Sequence, residues 1–184
     1  ASSGLFAKVS DLHSRGEGVS EDVVNTLSFS AVFAIPMFFG ALAIGREVVV
    51  TTYGEEYVPA ASLLVGLTLY LAIRSQTTVF DSVVNGIDMP EYHLKASATA
   101  FAVNIPLGVG LYFRIGPLGV VVATVCAELI RWGMLAIPVR NNTDATLVPR
   151  PIVEQSIAAG IMFVTVTVVG EYLSVTSWFD LGIL

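Results

Sequence analysis

The chain has 184 residues, of which 54% are hydrophobic and 13% are charged, and its mean hydropathy is +0.76. These values exclude an ordinary soluble domain, whose charged fraction is about 25%, and they indicate a polytopic membrane protein. The formal charge of −6, with only two lysines, argues against a nucleic-acid partner, which would require a basic face.

The first predicted span follows a polar N-terminal segment. A helix is predicted to begin near Glu21, because Ser20 is a good N-cap and the two acids after it suit the positive end of a helix dipole. Its apolar part, residues 27–45, is long enough to cross a bilayer. Pro36 lies in the middle and removes one backbone hydrogen bond, so we predict a kink or hinge there. Residues 46–57 are predicted to form a short amphipathic connection.

Four further spans are predicted from apolar runs bounded by proline, glycine and polar residues: residues 59–84, 95–113, 117–139 and 152–173. The turn at residues 114–117 is so short that the third and fourth spans must be antiparallel neighbours. Residues 141–151 form a polar loop flanked by proline. Leu181 and the residues after it are predicted to begin a truncated sixth span.

Lysine and arginine residues outside the spans predict the orientation, since cytoplasmic loops are enriched in them. Five lie on one side of the predicted membrane and two on the other, namely Lys8, Arg15, Lys95, Arg140 and Arg150 against Arg46 and Arg114. The larger group should be cytoplasmic. This assignment places residues 1–26, 85–95 and 140–151 inside the cell.

Three charged residues are predicted to lie deep in the membrane, and Asp81, nearer the inner end of the second span, is expected to have protein or water beside it. Arg74 is about 22 Å along the second span, in a hydrocarbon core of about 30 Å. Arg131 is about 21 Å along the fourth span, which enters from the same side, so the two arginines should share one depth. Glu128 precedes Arg131 by three residues on the same helical face, and the two are predicted to pair. Because each charge costs about 2.5 to 3.5 kcal/mol in the bilayer centre, we expect these side chains to face the protein interior.

The role of Arg74 and Arg131 has two interpretations. In the first, they line a water-filled path and attract an anionic group, for which phosphate matches the guanidinium fork. In the second, both side chains snorkel to the inner membrane interface, and Glu128 serves only to hold helices together inside the bundle. The sequence leaves both interpretations open.

The third and fourth spans contain residues that affect helix geometry. Pro106 frees a backbone carbonyl in mid-membrane, and Asn104 offers a polar side chain nearby, which predicts either a packing kink or a gating hinge. Gly119, Ala123 and Ala127 are spaced by four residues and predict a close helix contact.

Motifs for catalysis are absent from the sequence, which has no glycine-rich phosphate loop, no G-x-S-x-G elbow and no paired catalytic carboxylates. The single Cys126 lies in an apolar run, so there is no disulfide framework and no Cys/His metal spacing. His93 stands alone in a predicted loop and is expected to be solvated. We therefore predict that the protein is not an enzyme and needs no cofactor.

Four short motifs occur in order along residues 1–140: L-F-A-K-V-S-D-L at 5–12, Y-G-E-E-Y-V-P-A-A at 53–61, G-I-D-M-P at 86–90, and N-x-x-L followed by G-P-L-G-V-V-V-A-T between 104 and 124. Together they resemble the later part of polysaccharide flippases, the O-antigen and lipid-linked oligosaccharide transporters of the multidrug/oligosaccharidyl-lipid/polysaccharide (MOP) superfamily.

The resemblance implies an all-α bundle of twelve or fourteen membrane helices in two lobes, in which the five spans would be numbers nine to thirteen. Residues 1–140 would belong to the C-terminal lobe. Residues 141–184 would contain a cytoplasmic loop, the fifth span and the start of the sixth. Since the chain begins with Ala rather than Met and shows no signal peptide, we expect it to be a fragment of such a transporter.

The resemblance further implies that the protein moves a polyprenyl-phosphate-linked oligosaccharide across the cell membrane by alternating access, for surface polysaccharide or glycan synthesis. Arg74 and Arg131 become candidate contacts for the phosphate, with Glu128 as their orienting or coupling partner. The implied partners are the lipid-linked sugar, membrane lipids, and glycosyltransferases or a polymerase of the same pathway.

Two alternatives accompany this interpretation. A cation-coupled multidrug antiporter of the same superfamily would need an unpaired carboxylate in the membrane. A non-transporting membrane scaffold would have no water-filled cavity around Arg74.

Overall fold

Every regular element that the structure describes is helical. The structure is a computed structural model that describes residues 2–15 and 18–172. Its helices are α1 (Ser2–Ser14), α2 (Ser20–Tyr53), α3 (Ala60–Gly86), α4 (Pro90–Ile115), α5 (Pro117–Thr143) and α6 (Arg150–Tyr172), with a 3-10 turn at Glu55–Tyr57. Five of these helices, α2 to α6, are long and apolar enough to cross a membrane. The prediction of a polytopic all-α bundle is thereby confirmed, whereas the predicted sixth span lies outside the described residues.

Proline and glycine mark most helix boundaries, as the sequence predicts. Pro90 and Pro117 occupy the first positions of α4 and α5, where no backbone donor is needed. Gly116 alone separates these two helices, and its φ of 67° favours a residue without a side chain. The third and fourth spans are therefore joined by a one-residue turn, and they pack against each other along their length.

The predicted connection over residues 46–57 is wrong in its first part, because α2 continues to Tyr53. Residues 46–53 contain neither glycine nor proline, so nothing in this segment interrupts the backbone hydrogen bonds. The helix ends at Gly54, whose φ is 101°.

The predicted loop over residues 141–151 is also shorter than expected, since α5 runs to Thr143 and α6 begins at Arg150. Side chains satisfy the carbonyl groups near the end of α5. Asn142 Nδ2 donates to the Pro138 carbonyl at 2.8 Å, and Thr143 Oγ1 donates to the Val139 carbonyl at 2.6 Å. Each of these side chains donates to the carbonyl group four residues earlier, within the last turns of α5.

Helix α5 is the centre of the bundle that positions the site. Helices α3 and α4 both pack along α5, but they contact each other only slightly. Helix α2 packs on α3, and α6 packs on α2. A groove therefore lies between α3 and α4, with α5 as its floor.

The apolar core occupies one half of the bundle. Most of its members come from α1, the first half of α2 and the second halves of α3 and α5, and they include Leu27, Phe80, Val83, Leu135 and Val139. The rings of Phe80 and Trp132 lie 5.8 Å apart. Helix α1 covers the end of this core, where Val9 packs against Gly86 so closely that a Cβ on the glycine would overlap it.

The small residues of α5 form the predicted close contact. Gly119, Ala123 and Ala127 are all buried. A Cβ on Gly119 would overlap the backbone of Leu111 in α4, so the two helices approach to a distance that only glycine permits there.

The predicted kink or hinge positions lie within unbroken helices. Helix α2 is continuous through Pro36, and α4 is continuous through Asn104 and Pro106. Their role as hinges stays a prediction.

Candidate functional site

The three charged residues predicted to lie in the membrane meet at one place. Arg74 is on α3, and Glu128 and Arg131 are on α5. Each arginine lies fourteen residues after the first residue of its helix. Helices α3 and α5 begin at the same end of the bundle, which accounts for the matched depth of the two cations.

Glu128 lies between the two arginines. Its Oε1 is 3.5 Å from Arg74 Nη1 and 3.7 Å from Arg131 Nη1. Only 7% of the Glu128 side chain is exposed. The predicted pairing of Glu128 with Arg131 is confirmed, and the same carboxylate oxygen also contacts Arg74.

The strongest contact of Arg131 is with a residue that the sequence did not single out as a partner. Arg131 Nη2 donates to Asp81 Oδ1 at 2.8 Å and to Oδ2 at 2.6 Å. Asp81 follows Arg74 by seven residues, or about two helical turns, so both lie on the face of α3 that meets α5. This spacing of opposite charges within a span is the signal that could have identified the pair.

The expectation that His93 is solvated in a loop is wrong. Helix α4 begins at Pro90, and this start places His93 in its first turn, facing α3. His93 Nδ1 lies 2.7 Å from Asp81 Oδ1. Because an ionised carboxylate can only accept hydrogen bonds, the imidazole nitrogen is the donor. Asp81 therefore joins α3 to both α4 and α5.

The network is electrically balanced within the part of the chain that the structure describes. Two guanidinium groups face two carboxylates, and Arg131 Nε also donates to Ser97 Oγ at 3.3 Å. Opposite charges at this depth lower the cost of placing each ion in a medium of low dielectric constant.

The two arginines have different exposure. The side chain of Arg131 is 5% exposed, so it does not snorkel to an interface. Its Nη1 has no hydrogen-bond partner among the described residues and makes only the ionic contact with Glu128. The side chain of Arg74 is 41% exposed and holds Glu128 at the longer hydrogen-bond distance of 3.5 Å. Arg74 is thus the cation of the network that can accept another partner.

A polar cleft of about 380 Å³ opens between α3 and α4 above this network. Its lining includes both arginines and Glu128, together with Tyr70, His93, Ser97, Ala100, Phe101, Asn104, Thr124 and Ala127. Asn104 Nδ2 lies 3.5 Å from Thr124 Oγ1, which forms a polar contact across the α4/α5 boundary. The arrangement can bind an anion at Arg74 while the other charges remain paired.

Comparison with known proteins relates the chain to a glycan flippase. No family model matches the chain, and no solved structure matches it. The chain is 25% identical over 122 residues to the probable low-salt glycan biosynthesis flippase Agl15 of Haloferax volcanii. The match covers 65% of this chain and 26% of the relative, so the chain spans only about a quarter of the length of that protein. The chain is therefore similar, at low identity, to part of a protein named as a glycan flippase.

Proposed function

We propose that this chain is part of a membrane transporter that flips a polyprenyl-phosphate-linked oligosaccharide across the cell membrane by alternating access. Three features support this function: the five apolar helices, the polar cleft between α3 and α4, and the similarity to a glycan flippase. The proposal rests mainly on Arg74, whose half-exposed side chain lines a cleft between helices that are otherwise apolar.

Arg74 binds the phosphate of the lipid carrier in this proposal. Its planar guanidinium group presents several donors that match phosphate oxygens, and its present bond to Glu128 is long. When phosphate replaces Glu128 as the partner of Arg74, Glu128 keeps its contact with Arg131. The exchange therefore leaves no carboxylate of the network unpaired.

Arg131 has a positioning role in the proposal. It is held by Asp81 and by Glu128, and only 5% of its side chain is exposed at the wall of the cleft, so Arg74 makes the first contact with the phosphate in this proposal. By neutralising Glu128, it prevents that carboxylate from repelling an incoming phosphate. Glu128 orients Arg74 until the substrate arrives.

The alternating-access step needs a part of the bundle that stays fixed and a part that moves. The first half of α2 is held on both sides, since Gln76 Nε2 donates to Ser30 Oγ at 2.9 Å and Gln155 Nε2 donates to the Ser28 carbonyl at 3.1 Å. These anchors precede Pro36, which is the proposed hinge, and the second half of α2 packs through Gly45 on Leu64 of α3, so a swing of this half must also break that contact. Asn104 and Pro106 form the corresponding proposed hinge in α4, because Pro106 leaves one backbone carbonyl without its helical hydrogen bond.

The remaining assignments of the proposal concern the whole protein. Residues 1–140 form part of the C-terminal lobe, and residues 141–184 contain a cytoplasmic loop, the fifth span and the start of a sixth. Residues 1–26, 85–95 and 140–151 face the cytoplasm. The transporter works with the glycosyltransferases or polymerase of the same pathway.

Two alternatives are less well supported. A cation-coupled multidrug antiporter requires a free carboxylate in the membrane, whereas Asp81 and Glu128 are both engaged by arginine. A non-transporting scaffold has no need for a cleft of about 380 Å³ around a half-exposed arginine.

The test is substitution of Arg74 in the full-length transporter, with flipping of a lipid-linked sugar measured in proteoliposomes. Arg74→Ala should lower the rate about tenfold, corresponding to roughly 1.4 kcal/mol of lost interaction, and Arg74→Lys should retain part of it. Arg114→Ala is the matched control, since Arg114 is exposed at the far end of α4. Equal rates for Arg74→Ala and Arg114→Ala would refute the role of Arg74.

A further inference from the structure

An apolar groove adjoins the polar cleft on the outer surface of α4 and α5. It has a volume of about 470 Å³ and is lined by Asn104, Ile105, Gly108, Val109, Tyr112, Phe113 and Val120. Asn104 also lines the polar cleft. The two spaces therefore share one wall, and the lining changes at Asn104 from charged and polar groups to hydrocarbon.

The groove is open to the surroundings of the bundle. Half or more of Ile105, Val109, Tyr112 and Phe113 is exposed. Gly108 contributes no side chain, and a Cβ at this position would lie 3.6 Å from Ala123 Cβ and 3.7 Å from Asn104 Oδ1. Since the groove runs from Asn104 to Phe113, its length along α4 is about 13 Å.

We infer that this groove binds the hydrocarbon chain of the same lipid whose phosphate contacts Arg74, an inference that rests on the proposed function. An amphiphile with its phosphate in the cleft must direct its chain out of the cleft. A chain passing over Glu128 and Arg131 would separate charged groups from their partners without supplying any hydrogen bond. The path past Asn104 meets no charged side chain and is lined mainly by apolar groups.

The orientation of α4 gives this path a direction. In the proposed topology, α4 runs from the cytoplasmic side at Pro90 to the outer side at Ile115. The groove then lies in the outer half of the membrane, while Arg74 lies in the inner half, about 22 Å from the outer end of its span. A lipid bound in both places has its phosphate on the cytoplasmic side of its hydrocarbon chain, which is the orientation of the lipid before it is flipped.

The experiment is photo-crosslinking of the full-length transporter in membranes with a polyprenyl phosphate that carries a photoreactive group on its chain. Labelling is mapped by mass spectrometry and repeated with an excess of unlabelled polyprenyl phosphate or of phosphatidylcholine. Val120→Trp fills the groove, and Val122→Trp is the matched control, because Val122 is an exposed valine of the same helix that does not line the groove. Val109→Trp fills the groove from α4 and provides a second test if Val120→Trp does not fold.

We expect labelling within residues 104–120 that polyprenyl phosphate displaces and phosphatidylcholine does not, and that falls several-fold in Val120→Trp and Val109→Trp but not in Val122→Trp. Displacement by both lipids alike would identify the groove as a site for bulk lipid and overturn the inference. Equal labelling of the filled and control variants would also overturn it.

Transport is measured separately. If flipping does not depend on Arg74 while the groove is still labelled, the proposed function is refuted and the binding site for the hydrocarbon chain remains. If flipping depends on Arg74 but the groove is not labelled, only the binding site for the hydrocarbon chain is refuted.

Discussion

Arg131 Nη2 contacts both carboxylate oxygens of Asp81, at 2.8 and 2.6 Å, and this pair joins α5 to α3 across fifty residues of sequence. The Arg131 side chain is 5% exposed and that of Asp81 is 15% exposed. Where little water is present, the attraction within such an ion pair is strong, but a buried ion that loses its partner strongly destabilises the protein. The pair is therefore a structural element of the bundle, next to the more exposed Arg74.

Removal of Arg131 should damage the fold rather than transport alone. Arg131→Met leaves Asp81 buried without its guanidinium partner, and the expected loss of stability is about 3 to 5 kcal/mol. The double variant Asp81→Asn/Arg131→Met removes both charges and should recover most of that loss. The measurement is thermal unfolding of the purified protein in detergent, and a double variant as unstable as the single one would contradict the assignment of the pair.

Substitution of His93 should have a smaller effect on stability than substitution of Arg131. His93 supplies one hydrogen bond to Asp81 and its side chain is 41% exposed, so His93→Ala should cost about 1 kcal/mol. His93→Gln keeps an amide donor and should lie between His93→Ala and the unmodified protein. The same unfolding assay checks this order, and a loss as large as that of Arg131→Met would mean that His93 is the main partner of Asp81.

The contact between α4 and α5 should tolerate no side chain at Gly119. Gly119→Ala forces a methyl group into the backbone of Leu111 and should destabilise the protein by about 1 to 3 kcal/mol. Gly133→Ala is the matched control in the same helix, since a Cβ there has no neighbour within 4 Å. The control should be neutral or stabilising, by up to about 1 kcal/mol, because alanine favours the helix. Similar unfolding temperatures for both variants would show that α4 and α5 are less closely packed.

The proposed orientation can be tested by labelling single cysteines. In a Cys126→Ser background, Glu56→Cys lies in the turn before α3 and Thr146→Cys lies in the loop before α6, and both positions are exposed. A membrane-impermeant maleimide should label Glu56→Cys in intact cells and Thr146→Cys only after the membrane is opened. The reverse pattern would place residues 140–151 outside the cell.

The sequence predicts the helices well because each span is a local property. Long apolar runs require helices in a bilayer, and the glycine and proline residues between them set most boundaries. Three boundary predictions are wrong, at residues 46–57, 85–95 and 141–151, where polar composition suggests a connection. Residues 46–53 and 141–143 contain neither glycine nor proline, so nothing in these segments interrupts the helix, and α4 begins at Pro90, ahead of Lys95.

The candidate site is partly predictable for the same reason. The depth of Arg74 and Arg131 and the pairing of Glu128 with Arg131 follow from helical rise and from a spacing of three residues. The partners of Asp81 do not follow, because they depend on how α3, α4 and α5 are rotated and packed against one another. His93 illustrates this limit, since its position near the start of a helix gives no indication of the carboxylate on α3 that it contacts.

The amino-acid sequence by itself determined that the chain is a membrane protein of five long apolar helices with buried charge at a common depth, because composition and periodicity act within each segment. The tertiary structure alone decided which charges neutralise each other, which arginine stays exposed and where the cleft opens. Those outcomes depend on contacts between helices that lie far apart in the chain, and the weak contact between α3 and α4 is the one that leaves Arg74 accessible.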